Sequence, residues 1–191
     1  MIKWSLVLTI AGLPLICAPV EAQDRPTASP ATSRTEVFIG LGGQRALGDE
    51  ESDWGSSLRF AIDMNLSDRI ALVFAPSLGV GVATNDRSWV DYAVVAGPRL
   101  RFRAQKRVVP FAQILAGFGR GPVSSNGTLP SPPDHATAFM MSFAGGVDVA
   151  LTPRFAWRAF QFEERNQFGE LSGNHCVAAS TGLVIRFGTR K

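Results

Sequence analysis

SLRFAIDMNL, residues 57–66, places Leu58, Phe60, Ile62, Met64 and Leu66 at even positions and Ser57, Arg59, Ala61, Asp63 and Asn65 at odd ones. A period of two sends successive side chains to opposite faces of a strand, so every large apolar residue of this stretch shares one face. Residues 70–82 repeat the pattern, with Ile70, Leu72, Phe74, Leu78, Val80 and Val82 on one face and Val73 the only bulky apolar residue on the other. Residues 89–103, 137–151 and 175–187 alternate in the same way. Residues 108–119 carry apolar side chains on both faces, and residues 155–165 change phase between Arg158 and Phe160, as a bulge would cause. With 36–42 as the first strand, the count is about eight.

The connections are as regular as the strands. Residues 66–68, 104–106 and 152–153 read as tight turns, whereas 44–54, 83–88, 121–136 and 167–174 are longer and polar. Short and long connections fall at opposite ends of an up-and-down arrangement, which is what a membrane barrel with short periplasmic turns and longer extracellular loops shows. A soluble barrel or sandwich would put its large apolar face inward and display the other to water. Here the second face is mostly Gly, Ala and Ser with Arg, Asp and Glu, a set suited to a narrow interior, and the major face suits hydrocarbon. Trp54, Trp89 and Phe118 near the loop ends, and Phe102, Phe155, Trp157 and Phe187 near the turn ends, match two interfacial girdles. The reading is all-β: an eight-stranded antiparallel up-and-down transmembrane β-barrel.

Composition agrees. Of 191 residues 46% are hydrophobic and 18% charged, and the mean hydropathy is +0.10, which excludes disorder and a charge-driven nucleic-acid binder. The formal charge of +3 is scattered in ones and twos. At the N-terminus Lys3, the apolar run 5–16 and the small residues Val20 and Ala22 predict a signal peptide, 1–22, cleaved after Ala22. A periplasmic leader of Pro, Ser, Thr and Ala, 23–34, would precede a barrel over 35–188 and a tail of 189–191. Cleavage removes Cys17 and leaves Cys176 without a disulfide partner.

Little in the chain reads as chemistry. His135 and His175 are the two histidines, neither with a Cys or His at ligand spacing, so no metal and no cofactor are expected. A lipid-modifying barrel enzyme with His and Ser two apart on a strand finds Thr137 and Val177 at the second position. The informative residues are charges on the lumen face: Glu36, Arg59, Asp63, Asp91, Arg99, Arg101, Arg103, Asp148 and Arg186. They are read as an interior salt-bridge network holding a narrow barrel shut, with Asp63 and Asp148 balancing the arginines at 99, 101 and 103. The alternative is a small Arg-lined channel.

Ser180, Gly182, Ile185 and Phe187 fit a pattern of polar-x-Gly-x-x-hydrophobic-x-aromatic, similar to the C-terminal signal by which outer-membrane barrels are recognised for insertion; here Gly188 and three further residues follow the aromatic. With this signal, phrases such as VVPFAQILAGFG (108–119) and the strand pattern, the chain from Thr35 to Phe187 resembles the small outer-membrane barrels of the OmpA/OmpX type, the outer membrane protein beta-barrel domain family. The resemblance implies an integral outer-membrane protein, not an enzyme, with a structural or surface-interaction role. Its expected partners are outer-membrane lipids and lipopolysaccharide, the barrel-assembly machinery and an unspecified surface ligand. No nucleic acid is expected, and the protein would be a monomer.

Overall fold

Eight antiparallel strands pair in chain order and close when the last returns to the first. They are β1 (Ser33–Leu47), β2 (Ser52–Asn65), β3 (Ile70–Val82), β4 (Ser88–Arg101), β5 (Val108–Arg120), β6 (Ala138–Ala150), β7 (Phe155–Phe168) and β8 (His175–Thr189). The computed structural model describes residues 33–47, 52–82, 88–102, 107–120, 137–168 and 175–189. Closure leaves no sheet edge, so the wall satisfies its own backbone polar groups, as a hydrocarbon surrounding requires. At 13 to 15 residues the strands exceed the 9–11 that span a bilayer when tilted.

The period-two faces are those read from the sequence. Leu58, Phe60, Ile62 and Met64 of β2 point outward, while Ser57, Arg59, Ala61, Asp63 and Asn65 are buried. In β5, Phe111, Gln113 and Leu115 face inward and Ala112, Ile114, Ala116 and Phe118 outward. The phase change in β7 is a bulge: the register with β8 runs from Arg158↔Gly182 to Gln161↔Ser180, so Ala159 and Phe160 together oppose Thr181. Trp157 Nε1 donates to Thr181 Oγ1 at 2.9 Å, and that hydroxyl donates to Arg158 O at 2.9 Å. The bulge moves the inward positions from 156 and 158 to 161, 163, 165 and 167.

Several boundaries differ from those read in the sequence. β1 begins at Ser33, not Glu36, and continues to Leu47; the connection described as 44–54 begins and ends within strands, which extend through Leu47 and from Ser52, and that described as 167–174 begins within β7, which extends through Phe168. The reason is that Gln44 and Gln167 are polar but buried in the barrel, so polarity at these strand ends does not mark a loop. Ser33 is likewise held inside, its Oγ donating to Glu36 at 2.8 Å and its carbonyl accepting from Asn65 at 2.8 Å. The signal peptide, residues 23–32 of the leader, Arg103, and the connections 48–51, 83–87, 121–136 and 169–174 lie outside the described residues.

Two turns share one design. Leu66 N and Ser67 N both donate to Ile70 O, and Ser67 Oγ caps the N–H groups of Arg69 and Ile70; Leu151, Thr152, Arg154 and Phe155 repeat this atom for atom. Strand prolines interrupt the wall where a donor is missing. Pairing between β2 and β3 jumps from Arg59↔Ser77 to Ile62↔Phe74 around Pro76.

The interior is less polar than the sequence suggested. Phe38, Val73, Val95, Leu115, Met140 and Val184 are buried and form the apolar core with four alanines and the small residues of the lumen face. Two glycines make room for the largest of them. Gly40 and Gly182 oppose each other across β1 and β8, and a Cβ on Gly182 would press first on the carbonyl oxygen of Ile39, then lie 2.5 Å from Gly40 Cα and 2.8 Å from Phe38 Cε2. Gly182→Val is therefore expected to destabilise by about 1–3 kcal/mol through overpacking. Phe38→Ala in the same chain should not return that loss, read as a shift in urea midpoint, because the tightest contacts at Gly182 are backbone; recovery in the double variant would show that the ring sets the limit.

The barrel interior as candidate functional site

Interior side chains form two linked polar clusters. Near the turn end Glu36 of β1 meets Arg101 Nη2 at 2.7 Å and Arg186 Nε at 3.3 Å. Asp63 of β2 pairs with Arg99 Nη1 and lies 3.6 Å from Arg101 Nη2. Arg99 also donates from Nε and Nη2 to Gln113 Oε1, at 2.8 and 2.6 Å. On the opposite wall Asp148 of β6 takes a fork from Arg158, Nε to Oδ1 at 2.7 Å and Nη2 to Oδ2 at 3.1 Å.

The second cluster lies toward the loop end. Glu163 of β7 pairs with Arg59 across the lumen and with Arg165 Nε at 2.8 Å. Arg165 Nη1 is 3.4 Å from Asp91 of β4, and Asp91 accepts from Gln44 Nε2 at 3.1 Å. Gln161 joins the clusters, since its Oε1 accepts from Arg158 Nη1 at 2.8 Å while its Nε2 donates to Glu163 Oε2 at 3.3 Å. Aromatic rings brace the cations: the Arg158 guanidinium lies 4.2 Å from the Phe38 centroid and 4.5 Å from that of Phe111, and Arg99 is also 4.5 Å from Phe111.

Every paired cation of the interior is an arginine. A guanidinium carries five donors in a rigid plane, so one side chain can serve two acceptors and stack on a ring, which a lysine cannot. The described interior holds Arg59, Arg99, Arg101, Arg158, Arg165 and Arg186 against Glu36, Asp63, Asp91, Asp148 and Glu163, a near balance of sign. A cavity of about 20 Å³ lies between the clusters, lined by Arg59, Arg99, Gln113, Gln161 and Glu163 among others. That is room for about one water. Arg59, which lines the cavity, has Nε and Nη2 buried without a protein partner.

The charges named from the sequence divide as follows. Glu36, Arg59, Asp63, Asp91, Arg99, Arg101 and Asp148 are buried in the interior, and Arg186 is half-buried at its turn end. Asp148 makes its direct ion pair with Arg158, which stands opposite in the β6–β7 register, while its charge also acts on Arg99 and Arg101 of β4. Arg158, Glu163, Arg165 and the glutamines 44, 113 and 161 were not read from the sequence. The available signal was the phase change in β7, beyond which the odd positions read Gln161, Glu163, Arg165 and Gln167. Of the terminal pattern, Ser180 and Gly182 face the lumen side, while Phe187 is exposed on the outer wall. His175 is exposed, its Nδ1 against Asn166 Oδ1.

The outer wall is apolar except for Glu164 in the loop half of β7 and the polar strand ends, with Trp54 and Phe118 exposed at the loop end and Phe102, Phe155, Trp157 and Phe187 at the turn end. Phe118, Phe139 and Phe168 form a row across β5, β6 and β7, with centroids 5.8 and 6.1 Å apart. Trp54 stacks under Arg45 at 5.4 Å.

No protein-family model and no curated protein matches the sequence. Solved structures do match the fold. Neisserial surface protein A (NspA) superposes with a TM-score of 0.68 at 17% identity, over 81% of this chain and 98% of its own. Ail, the attachment invasion locus protein of Yersinia pestis, gives 0.53 at 15% identity, over 82% of this chain and 99% of its own. At these identities the likeness is one of fold: the chain is an all-β closed barrel of the small eight-stranded outer-membrane type.

Proposed function

We propose that the protein is a non-enzymatic, monomeric barrel integral to the bacterial outer membrane, with its turns in the periplasm and its loops outside, and with a structural or surface-interaction role. The observation that carries this is the pairing of an apolar outer wall with an interior occupied by reciprocal ion pairs. Charged side chains that occupy the bore and pair with one another leave function to the wall and the loops. Lipids and lipopolysaccharide would surround the wall, and the barrel-assembly machinery would read the terminal strand. The polar side chains that could do chemistry are engaged with each other, and the neighbour of His175 is an amide that cannot act as a base.

The channel reading draws on one observation, the excess of a single arginine in the lumen. Purified protein should migrate faster on gels before heating than after, and should give planar-bilayer currents at background. Recovery in the soluble periplasmic fraction would overturn the membrane reading; stable single-channel steps would replace the closed barrel with the pore. An altered lipid A mass on overexpression would replace it with an enzyme.

A further inference from the structure

Every strand that rises from the turn end toward the loop end starts on an arginine. Arg34 is the second residue of β1, and Arg69, Arg107 and Arg154 immediately precede β3, β5 and β7. The backbone sets the last three at one level: their carbonyls each accept a 2.8 Å hydrogen bond from the adjoining descending strand, at Arg101 N, Ala150 N and Arg186 N respectively. All four side chains are exposed, and none enters an ion pair among the described residues, whereas the interior arginines are all paired. Asp68 is the one acidic residue on this rim among the described residues.

The rim also has a depth. Leu66, Phe102, Leu151, Phe155 and Phe187 stand exposed beside the arginines, so the apolar wall ends where the cations begin. In a barrel lying in a bilayer that is the level of the lipid headgroups. The opposite end has the other sign on balance in sequence: connections 48–51, 83–87, 121–136 and 169–174 contain Asp49, Glu50, Glu51, Asp86, Asp134 and Glu170 against the single Arg87.

We propose that Arg34, Arg69, Arg107 and Arg154 form a ring that binds anionic phospholipid headgroups of the leaflet at the turn end. A guanidinium takes two phosphate oxygens through parallel hydrogen bonds, and four of them spaced around the wall select lipids with net negative charge over zwitterionic ones. The inference rests on the membrane reading above and goes beyond it by naming a ligand class and its residues.

The test uses the full mature protein in vesicles of phosphatidylcholine containing a minor share of phosphatidylglycerol, with retained lipids read by native mass spectrometry. The wild type should retain phosphatidylglycerol over phosphatidylcholine about fivefold beyond their ratio in the vesicle, and the preference should weaken with salt. R34Q/R69Q/R107Q/R154Q should fall to parity, and the corresponding Lys variant should keep part of the preference. Wild-type retention at the vesicle ratio, or an unchanged preference in the Gln variant, would overturn the ring. So would a Gln variant that loses only co-sedimentation with peptidoglycan, which would assign the arginines to cell-wall carboxylates. Should the Gln variant not fold, the wild type and the single variants Arg69→Gln and Arg154→Gln decide. Heat-modifiable migration, scored separately, reports insertion: its loss in the wild type refutes the membrane reading rather than the lipid selectivity.

Discussion

Glu163→Gln should lower stability by about 3–5 kcal/mol, because it keeps the volume of the side chain and removes a carboxylate on which two buried arginines converge. Glu163 meets Arg59 and Arg165, both nearly inaccessible to solvent, and it also accepts from Gln161. Arg165 would retain Asp91 at 3.4 Å, but Arg59 would lose its ion-pair partner among the described residues, and its Nε and Nη2 have none already. The measurement is the urea midpoint of the reconstituted barrel, expected to fall with little change in slope. Arg59→Gln in the same chain removes the orphaned charge, so the double variant should recover most of the loss. A midpoint for E163Q within error of the wild type would mean that interior water solvates the arginines and that the pairs do not hold the barrel.

The outer wall was legible in the sequence because it is one side chain deep. A residue of β2 faces either outward or into the lumen, and Leu58 to Leu66 show which by parity alone. The interior was legible only in part. Arg59 and Glu163 touch although 104 residues separate them, and such a cross-lumen contact depends on the stagger of the closed barrel, which alternation does not encode. Glu163 was hidden for a second reason: the bulge at Ala159 and Phe160 reverses the parity of β7, so its inward residues look outward to anyone counting from Phe155. Phe38 and Met140 escaped because a single large apolar side chain on a face otherwise small or polar reads as noise, and Leu115 because β5 is apolar on both faces, so alternation does not say which one lines the lumen. Their burial supplies the interior with the rings and aliphatic contacts against which the guanidinium groups pack.

Asp148→Ala should cost a similar ~3–5 kcal/mol, and its partner explains why the loss cannot be relieved by rearrangement. Arg158 is fully buried, with its guanidinium near the rings of Phe38 and Phe111, so it cannot swing toward either mouth when the carboxylate is gone. What remains to it is Gln161 Oε1 at 2.8 Å, a neutral acceptor. Arg186 gives the contrast: Glu36, 3.3 Å from it, keeps Arg101 Nη2 at 2.7 Å, so Arg186→Gln orphans no buried charge and should cost only about 1 kcal/mol. The same clamp bears on conduction. With Arg158 held between two rings that fill the bore, D148A should lower the urea midpoint while bilayer current stays at background. If D148A leaves stability unchanged and produces an ion current or a change of selectivity, the arginines line a water-filled path, and the channel takes the place of the closed barrel.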